Sequence, residues 1–325
     1  MRITLVATGG TIASRSTHAG VAANVTGRQL LDTLDAGRLP PGADITVVDV
    51  GTRGSYALTL GDMHTIARAA LAACADGADG VVLTHGTDSL EETAYLTDLL
   101  HEGNAPIVVT GAQRPFDDPA GDGKDNLEFA LACAASAQLR GRGVVVAFNG
   151  AVLPACGVRK VDTTGLAAFA NVWRPDPEVA PRACLPGAER ALSGISLPPV
   201  AVVATVPGGT GQGLRDAVSH GPAGIVLQAV GIGNASPEDA AAVADVVTAG
   251  VPVLVTTRVQ QGVVRAVYSG GKSLEEAGAV FAGHLSTWQA RVLLSLVRAV
   301  TPDGDVGAIV TRWLAEVDPS AAPPL

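Results

Sequence analysis

Short, unbroken runs of Val, Ile and Leu recur along the chain, each closed by a glycine or polar turn. They are RITLVAT (2–8), ADITVVDV (43–50), GVVLTHG (80–86), IVVTGAQRP (107–115) and GVVVAFNG (143–150). Further on come VAVVATV (200–206), GIVLQAV (224–230) and VPVLVTT (251–257). Strands that are apolar on consecutive residues have both faces covered, which is the property of parallel sheets. Between the runs lie stretches with helical spacing, at 28–36, 60–74, 89–102, 126–138, 237–250, 288–300 and 306–317. This alternation predicts an α/β fold with helices on both faces of a parallel sheet.

The alternation fails once, where Pro175, Pro177, Pro181, Pro186 and Pro198 interrupt the chain. Two domains are therefore expected. The larger, over 1–190, is N-terminal and carries a doubly wound, mainly parallel sheet. A linker over 191–199 follows, and then a smaller C-terminal α/β domain over 200–325. The small, polar stretch from Ser14 to Thr26 has no periodicity and reads as a mobile loop.

The formal charge is 22 − 31 = −9, and there is no cluster of Lys or Arg. That balance argues against nucleic acid and anionic membranes as partners. No apolar stretch approaches the roughly 20 residues that span a bilayer. The first residues run directly into a strand without a signal-peptide pattern, so a cytoplasmic protein is expected. Cys74, Cys133, Cys156 and Cys184 form no CxxC pair, and the six histidines lack ligand spacing. Separate reduced thiols and no metal are expected.

In an open parallel sheet, chemistry collects beyond the carboxyl ends of the strands. The segments to read are thus 8–17, 51–56, 84–88, 110–114, 156–164 and 231–236. Thr11 follows the glycine pair Gly9-Gly10, as either a nucleophile or a cap. In THGTDSLEE, Thr87 and Asp88 set a hydroxyl beside a carboxylate, although Asp88 with Glu91 also has the spacing of a capping box. His85 reads as a structural histidine. Lys160 is one of three lysines and lies near Asp162, Thr163 and Thr164; a lysine in a cleft helps move a hydroxyl's proton. GIGNAS (231–236) lacks the last glycine and the later acidic residue of a dinucleotide site, PGGTGQG (207–213) lacks the GK[ST] of a phosphate loop, and no GxSxG occurs.

Taken together, VATGGTIAS and VVLTHGTDSLEETAYLTDLL resemble the two signatures of the bacterial-type L-asparaginases, a family that includes asparaginase–glutaminases. VVTGAQRPFDDPAGDGKDNLEFAL, GVRKVDTTGLAAF and TWQARVLLSL continue the resemblance in family order over nearly the whole chain. It implies a hydrolase that converts L-asparagine to L-aspartate and ammonia through an acyl-enzyme. Thr11 would be the nucleophile, and Thr87, Asp88 and Lys160 a triad that activates a threonine hydroxyl. Backbone N–H groups at Gly10 and Thr11 would face the oxyanion. Asp88 would hold the substrate's α-ammonium and Ser55 its α-carboxylate, with Thr52 as the competing alignment. The Ala112 backbone would contact the side-chain amide, and Asn234 would reach the α-amino end from a neighbouring subunit.

The resemblance further implies a homotetramer, built as a dimer of dimers, and no metal or organic cofactor. The chain departs from it in the loop after the nucleophile, where Val21 stands about where a tyrosine is usual. It departs again at Gly271, which takes the place of a glutamate, with Glu275 and Glu276 several residues on. Cys74 lies near one half of the secreted members' disulfide, but Gly103 stands at the partner position. Two alternatives follow: a broader amidohydrolase acting on glutamine or D-asparagine, or a non-catalytic sensor of asparagine or aspartate.

Overall fold

The apolar runs form strands, and those at 3–8, 80–84, 107–110 and 144–148 are buried on both faces between two helical layers, whereas the run at 43–50 forms a partly exposed edge strand. The computed structural model describes residues 1–172 except 19, and 184–317 except 186, 189, 190, 192 and 193; for Val21 only the backbone is described. Pro175, Pro177, Pro181 and Pro186, and residues 192 and 193 of the expected linker, lie outside the described residues. The chain divides into two compact units, Met1–Cys184 and Leu185–Leu325.

The first unit opens with β1 (Arg2–Gly9), a hairpin of β2 (Ser14–Thr17) and β3 (Gly20–Ala23), helix α1 (Gly27–Leu31) and β4 (Asp44–Arg53). Then come α2 (Leu60–Ala75), β5 (Gly80–Thr84), α3 (Leu90–Leu100), β6 (Ile107–Thr110) and α4 (Gly123–Ala134). It ends with β7 (Val144–Phe148), β8 (Ala151–Pro154), β9 (Val158–Lys160) and β10 (Phe169–Asn171). The main sheet has the order β4-β1-β5-β6-β7-β8. Its pairs are parallel except β7 with β8.

Alternate residues of the strands feed two separate cores. Val6, Val81, Leu83, Ile107 and Val109 face Ile66 and Ala70 of α2 and Leu90 of α3. Leu5, Val82, Val108 and Val145 face Leu30 of α1 and Leu127 and Leu131 of α4. Burying each such side chain stabilises the fold by about 1.5–3 kcal/mol, which is why continuous apolar runs were the readable signal.

The chain leaves β1 for β4 on one side and returns to β5 on the other. The crevice at such a reversal, beyond the carboxyl ends of β1 and β5, is where an α/β sheet holds its ligands. Ser14–Ala23 is a correction: the expected mobile loop is an antiparallel hairpin, pairing Ser14 with Ala23 and Thr17 with Gly20. Its strands are four residues long and carry no apolar alternation, so periodicity gives no sign of them.

The second unit contains β11 (Val200–Ala204), α5 (Gln212–Val218), β12 (Gly224–Ala229), α6 (Pro237–Thr248) and β13 (Val253–Thr257). After these come α7 (Ser269–Glu276), β14 (Val280–Phe281), α8 (Thr287–Val300) and α9 (Val306–Val317). Its four strands pair in parallel in sequence order. Leu214, Val243, Val246 and Leu274 cover one face from α5, α6 and α7. Among the described residues no helix is long and apolar enough to cross a membrane. None of the four cysteines is in a disulfide, and burial pushes the Cys74 and Cys133 thiols up to about 11.

Candidate active site

Three turns meet at the carboxyl edge of β1, β4 and β5, and their closest approach is made by backbone. Gly10 has φ 77° and ψ −175°, a combination essentially restricted to glycine. A Cβ there would run into the backbone of Gly86, and a Cβ on Gly86 would lie 2.6 Å from Ser55 Oγ. The turn carrying Thr11 is therefore stacked directly on the turn carrying Thr87 and Asp88.

Thr11 opens a short 3-10 turn, Thr11–Ala13, and is half-buried. The capping alternative is not realised: Gly10 holds the cap position, and the Thr11 hydroxyl has no hydrogen-bond partner among the described residues. Ser14 secures the turn instead, its hydroxyl donating to Gly10 O at 2.7 Å. The Gly10 N–H donates to Arg53 O at 3.1 Å. That corrects the expectation that it faces an oxyanion. The N–H groups of Thr11 and Thr87 have no acceptor among the described residues and remain open to a ligand.

Asp88 is likewise not a cap. Ser89 occupies the N-cap of α3 with no side-chain cap bond, and the Asp88 carboxylate turns to Lys160. Lys160 Nζ donates to Thr87 Oγ1 and to Asp88 Oδ1, both at 2.9 Å. Lys160 is half-buried while Asp88 is exposed, so the ammonium is held between an enclosed hydroxyl and a wet carboxylate. The backbone of Lys160 is fixed by a residue whose spacing reads as a cap: Glu91 Oε2 accepts from Lys160 N at 2.8 Å. Its signal was present as the i, i+3 partner of Asp88, but spacing assigned it to a cap.

Ser55 is buried, and its hydroxyl accepts from the Asp88 N–H at 3.1 Å, whereas Thr52 is exposed. Ser89 Oγ donates to Ser55 O at 2.8 Å. His85 has the structural role expected of it. Its Nδ1 meets Gly86 O at 2.7 Å and its Nε2 meets Thr93 Oγ1 at 2.9 Å. A carbonyl accepts only from a protonated nitrogen, so Nδ1 carries the proton and Nε2 accepts from the threonine. Burial pulls the ring's pKa down to about 4, against a smaller opposing effect of the Gly86 carbonyl.

Ala112 follows β6 and is fully buried. Asn234 lies in the second unit, its Oδ1 accepting from the Gly271 N–H at 3.1 Å. Gly271 thus presents only backbone there, while Glu275 is paired with Lys272 at 2.8 Å. GIGNAS makes a turn closed by a Val230–Asn234 bridge, and Ser236 caps α6 through the Asp239 N–H. Among the described residues no three His, Cys, Asp or Glu side chains are grouped to hold a metal.

Residues 2–179 match the family model "Asparaginase, N-terminal" and residues 199–306 the model "Glutaminase/Asparaginase C-terminal domain". The chain belongs to the asparaginase family. It is 32% identical to the L-asparaginase of Bacillus licheniformis, over 93% of this chain and 97% of that protein. It is 31% identical to L-asparaginase 2 of Escherichia coli strain K12, over 93% and 90% of the two chains. A solved structure described as the probable cytoplasmic L-asparaginase of Campylobacter jejuni superposes with a TM-score of 0.83 at 29% identity, covering 96% of this chain and 99% of that one. Membership places the two α/β units in a known architecture and agrees with the signatures that flank Thr11 and Thr87.

Proposed function

We propose that the chain hydrolyses the side-chain amide of L-asparagine to L-aspartate and ammonia. The observation that carries the reading is the Thr87–Lys160–Asp88 triad, bonded at 2.9 Å on both sides of the lysine, with the Thr87–Asp88 turn stacked on that of Thr11, whose hydroxyl has no partner among the described residues. The names of the relatives, L-asparaginases matched along most of their length, support the substrate.

In this reading the Thr11 hydroxyl attacks the amide carbon. The N–H groups of Thr11 and Thr87 stabilise the oxygen as it gains charge. The C–N bond breaks, ammonia leaves with a proton, and an acyl-threonine ester remains for water to hydrolyse. Lys160, held by Asp88, manages the proton on a threonine hydroxyl. Asp88 and Ser55 receive the substrate's α-ammonium and α-carboxylate, and the Ala112 backbone meets the amide. Asn234 serves a neighbouring copy's site in a homotetramer. That part rests on the resemblance, and sedimentation of the active protein measures it.

The test is ammonia release from L-asparagine and L-glutamine assayed side by side, with Thr11→Ala as the control. Asparagine turnover by the wild type and its loss by at least about a thousandfold in Thr11→Ala are expected. No ammonia from either amide, or an unchanged rate in the variant, overturns the assignment. Higher kcat/KM on glutamine makes the chain a broader amidohydrolase. Binding of asparagine without turnover makes it a sensor.

A further inference from the structure

Asp122 stands at the N-cap of α4, yet its side chain makes no capping bond to the helix. The carboxylate turns back toward β6 instead. It accepts the Gln113 N–H at 3.0 Å, the Arg114 N–H at 2.9 Å and Asn126 Nδ2 at 3.1 Å. Asn126 Nδ2 also donates to Gly111 O at 3.0 Å, while its Oδ1 accepts from Asn149 N at 2.9 Å. Gly111 and Gln113 flank Ala112. One carboxylate, with the amide bonded to it, therefore fixes both neighbours of that residue.

The same clamp closes a loop that holds the rest of the site. Gln113 Nε2 donates to Gly165 O at 3.2 Å, in the segment beyond Lys160. Phe116 N donates to Ser14 O at 2.8 Å, and the Arg15 guanidinium lies 5.1 Å from the centre of the Phe116 ring. Ser16 N donates to Asp117 at 3.0 Å. The hairpin after Thr11 and the strand end after Lys160 are thus both tied to the loop that Asp122 closes.

We propose that Asp122 is a positioning residue that sets the Ala112 backbone against the leaving amide; this rests on the asparaginase reading above. Without the carboxylate, the Gln113 and Arg114 N–H groups lose their acceptor, Asn126 Nδ2 keeps only Gly111 O, and the loop is free to drift. A displacement of about 1 Å at a reacting group costs on the order of a hundredfold in rate. In this proposal the Ala112 carbonyl accepts from the amide nitrogen, so the loss falls on substrates whose leaving group carries N–H. An ester of the same acid has no such hydrogens.

The experiment compares kcat/KM for L-asparagine and for L-aspartate β-methyl ester in the full-length protein carrying Asp122→Ala. The amide rate is expected to fall at least about tenfold more than the ester rate. The ratio is taken on one preparation, so a reduced fraction of folded enzyme cancels. Equal falls on both substrates, or no fall, overturn the proposal and leave Asp122 as a loop closure only. Asp122→Asn retains one acceptor oxygen and should show a smaller shift of the same ratio. If the alanine variant does not fold, an unchanged ratio in Asp122→Asn overturns the proposal. Wild-type protein that releases no ammonia from L-asparagine defeats the underlying reading instead, before Asp122 enters.

Discussion

The carboxyl edges of the two sheets use the same local vocabulary, small residues, glycine turns and threonines, for opposite ends. In the second unit the hydroxyls of Thr205, Thr256, Thr257 and Thr287 are engaged. Thr256 and Thr287 share a hydrogen bond at 2.9 Å, and Gln228 Nε2 donates to Thr287 at 2.9 Å. Thr257 donates to Gly231 O at 2.7 Å, and Thr205 to Asp239. In the first unit the Thr11 hydroxyl has no partner among the described residues, and the Thr87 hydroxyl receives a lysine rather than a carbonyl. A hydroxyl that donates to a fixed acceptor is structural; one that is unbonded, or that only accepts from a lysine, keeps its proton available for chemistry. The difference lies in bonding partners, which composition does not reveal.

Removing the charge from the first edge should have the largest effect. Lys160→Met is expected to lower kcat on L-asparagine by at least about a hundredfold, with KM within about threefold of wild type. Steady-state ammonia assays decide it, and retained kcat removes the distinction between the edges. A smaller effect concerns pH. His85 is buried with a pKa near 4 against an ordinary 6.5, so the unfolded chain takes up the proton first as pH falls. The stability from the neutral ring is complete above about 6.5 and lost as pH drops toward 4, about 2 kcal/mol between pH 7 and pH 5. Urea unfolding at the two pH values reads it. His85→Gln should lack that share of the slope, and an undiminished slope refutes the attribution. The smallest effect belongs to the second edge. Thr256→Val should cost about 1 kcal/mol in unfolding free energy and leave ammonia release unchanged. Lost turnover there breaks the comparison.

The main strands, the helices α2, α3, α4, α6, α8 and α9, and the two-unit division were legible because burial on both sheet faces dictates apolar runs. The hairpin Ser14–Ala23 was not, since its order comes from ties to Phe116 and Asp117, about a hundred residues away in sequence. Strands β8, β9, β10 and β14 have two to four residues each, too few for any period to register. Of the site, Thr11, Thr87, Asp88 and Lys160 were named as candidate groups from their places after strands. Their weighing against caps came from the family signatures, and the structure removes the caps by showing where the bonds go. Glu91 was assigned to a cap and Asp122 was not singled out, because an acidic residue near a helix start has a ready local explanation. Only three-dimensional partners show that both carboxylates reach beyond their helices.

The contact between Gly10 and Gly86 has no side chain in it and so no adjustable thickness. Any substitution at either position only widens the gap. The spacing between the nucleophile's turn and the relay's turn is therefore a fixed quantity, inherited by every descendant that keeps both glycines. Diversification toward larger or different amides has to proceed around this spacer, through the hairpin and the loop that anchors it.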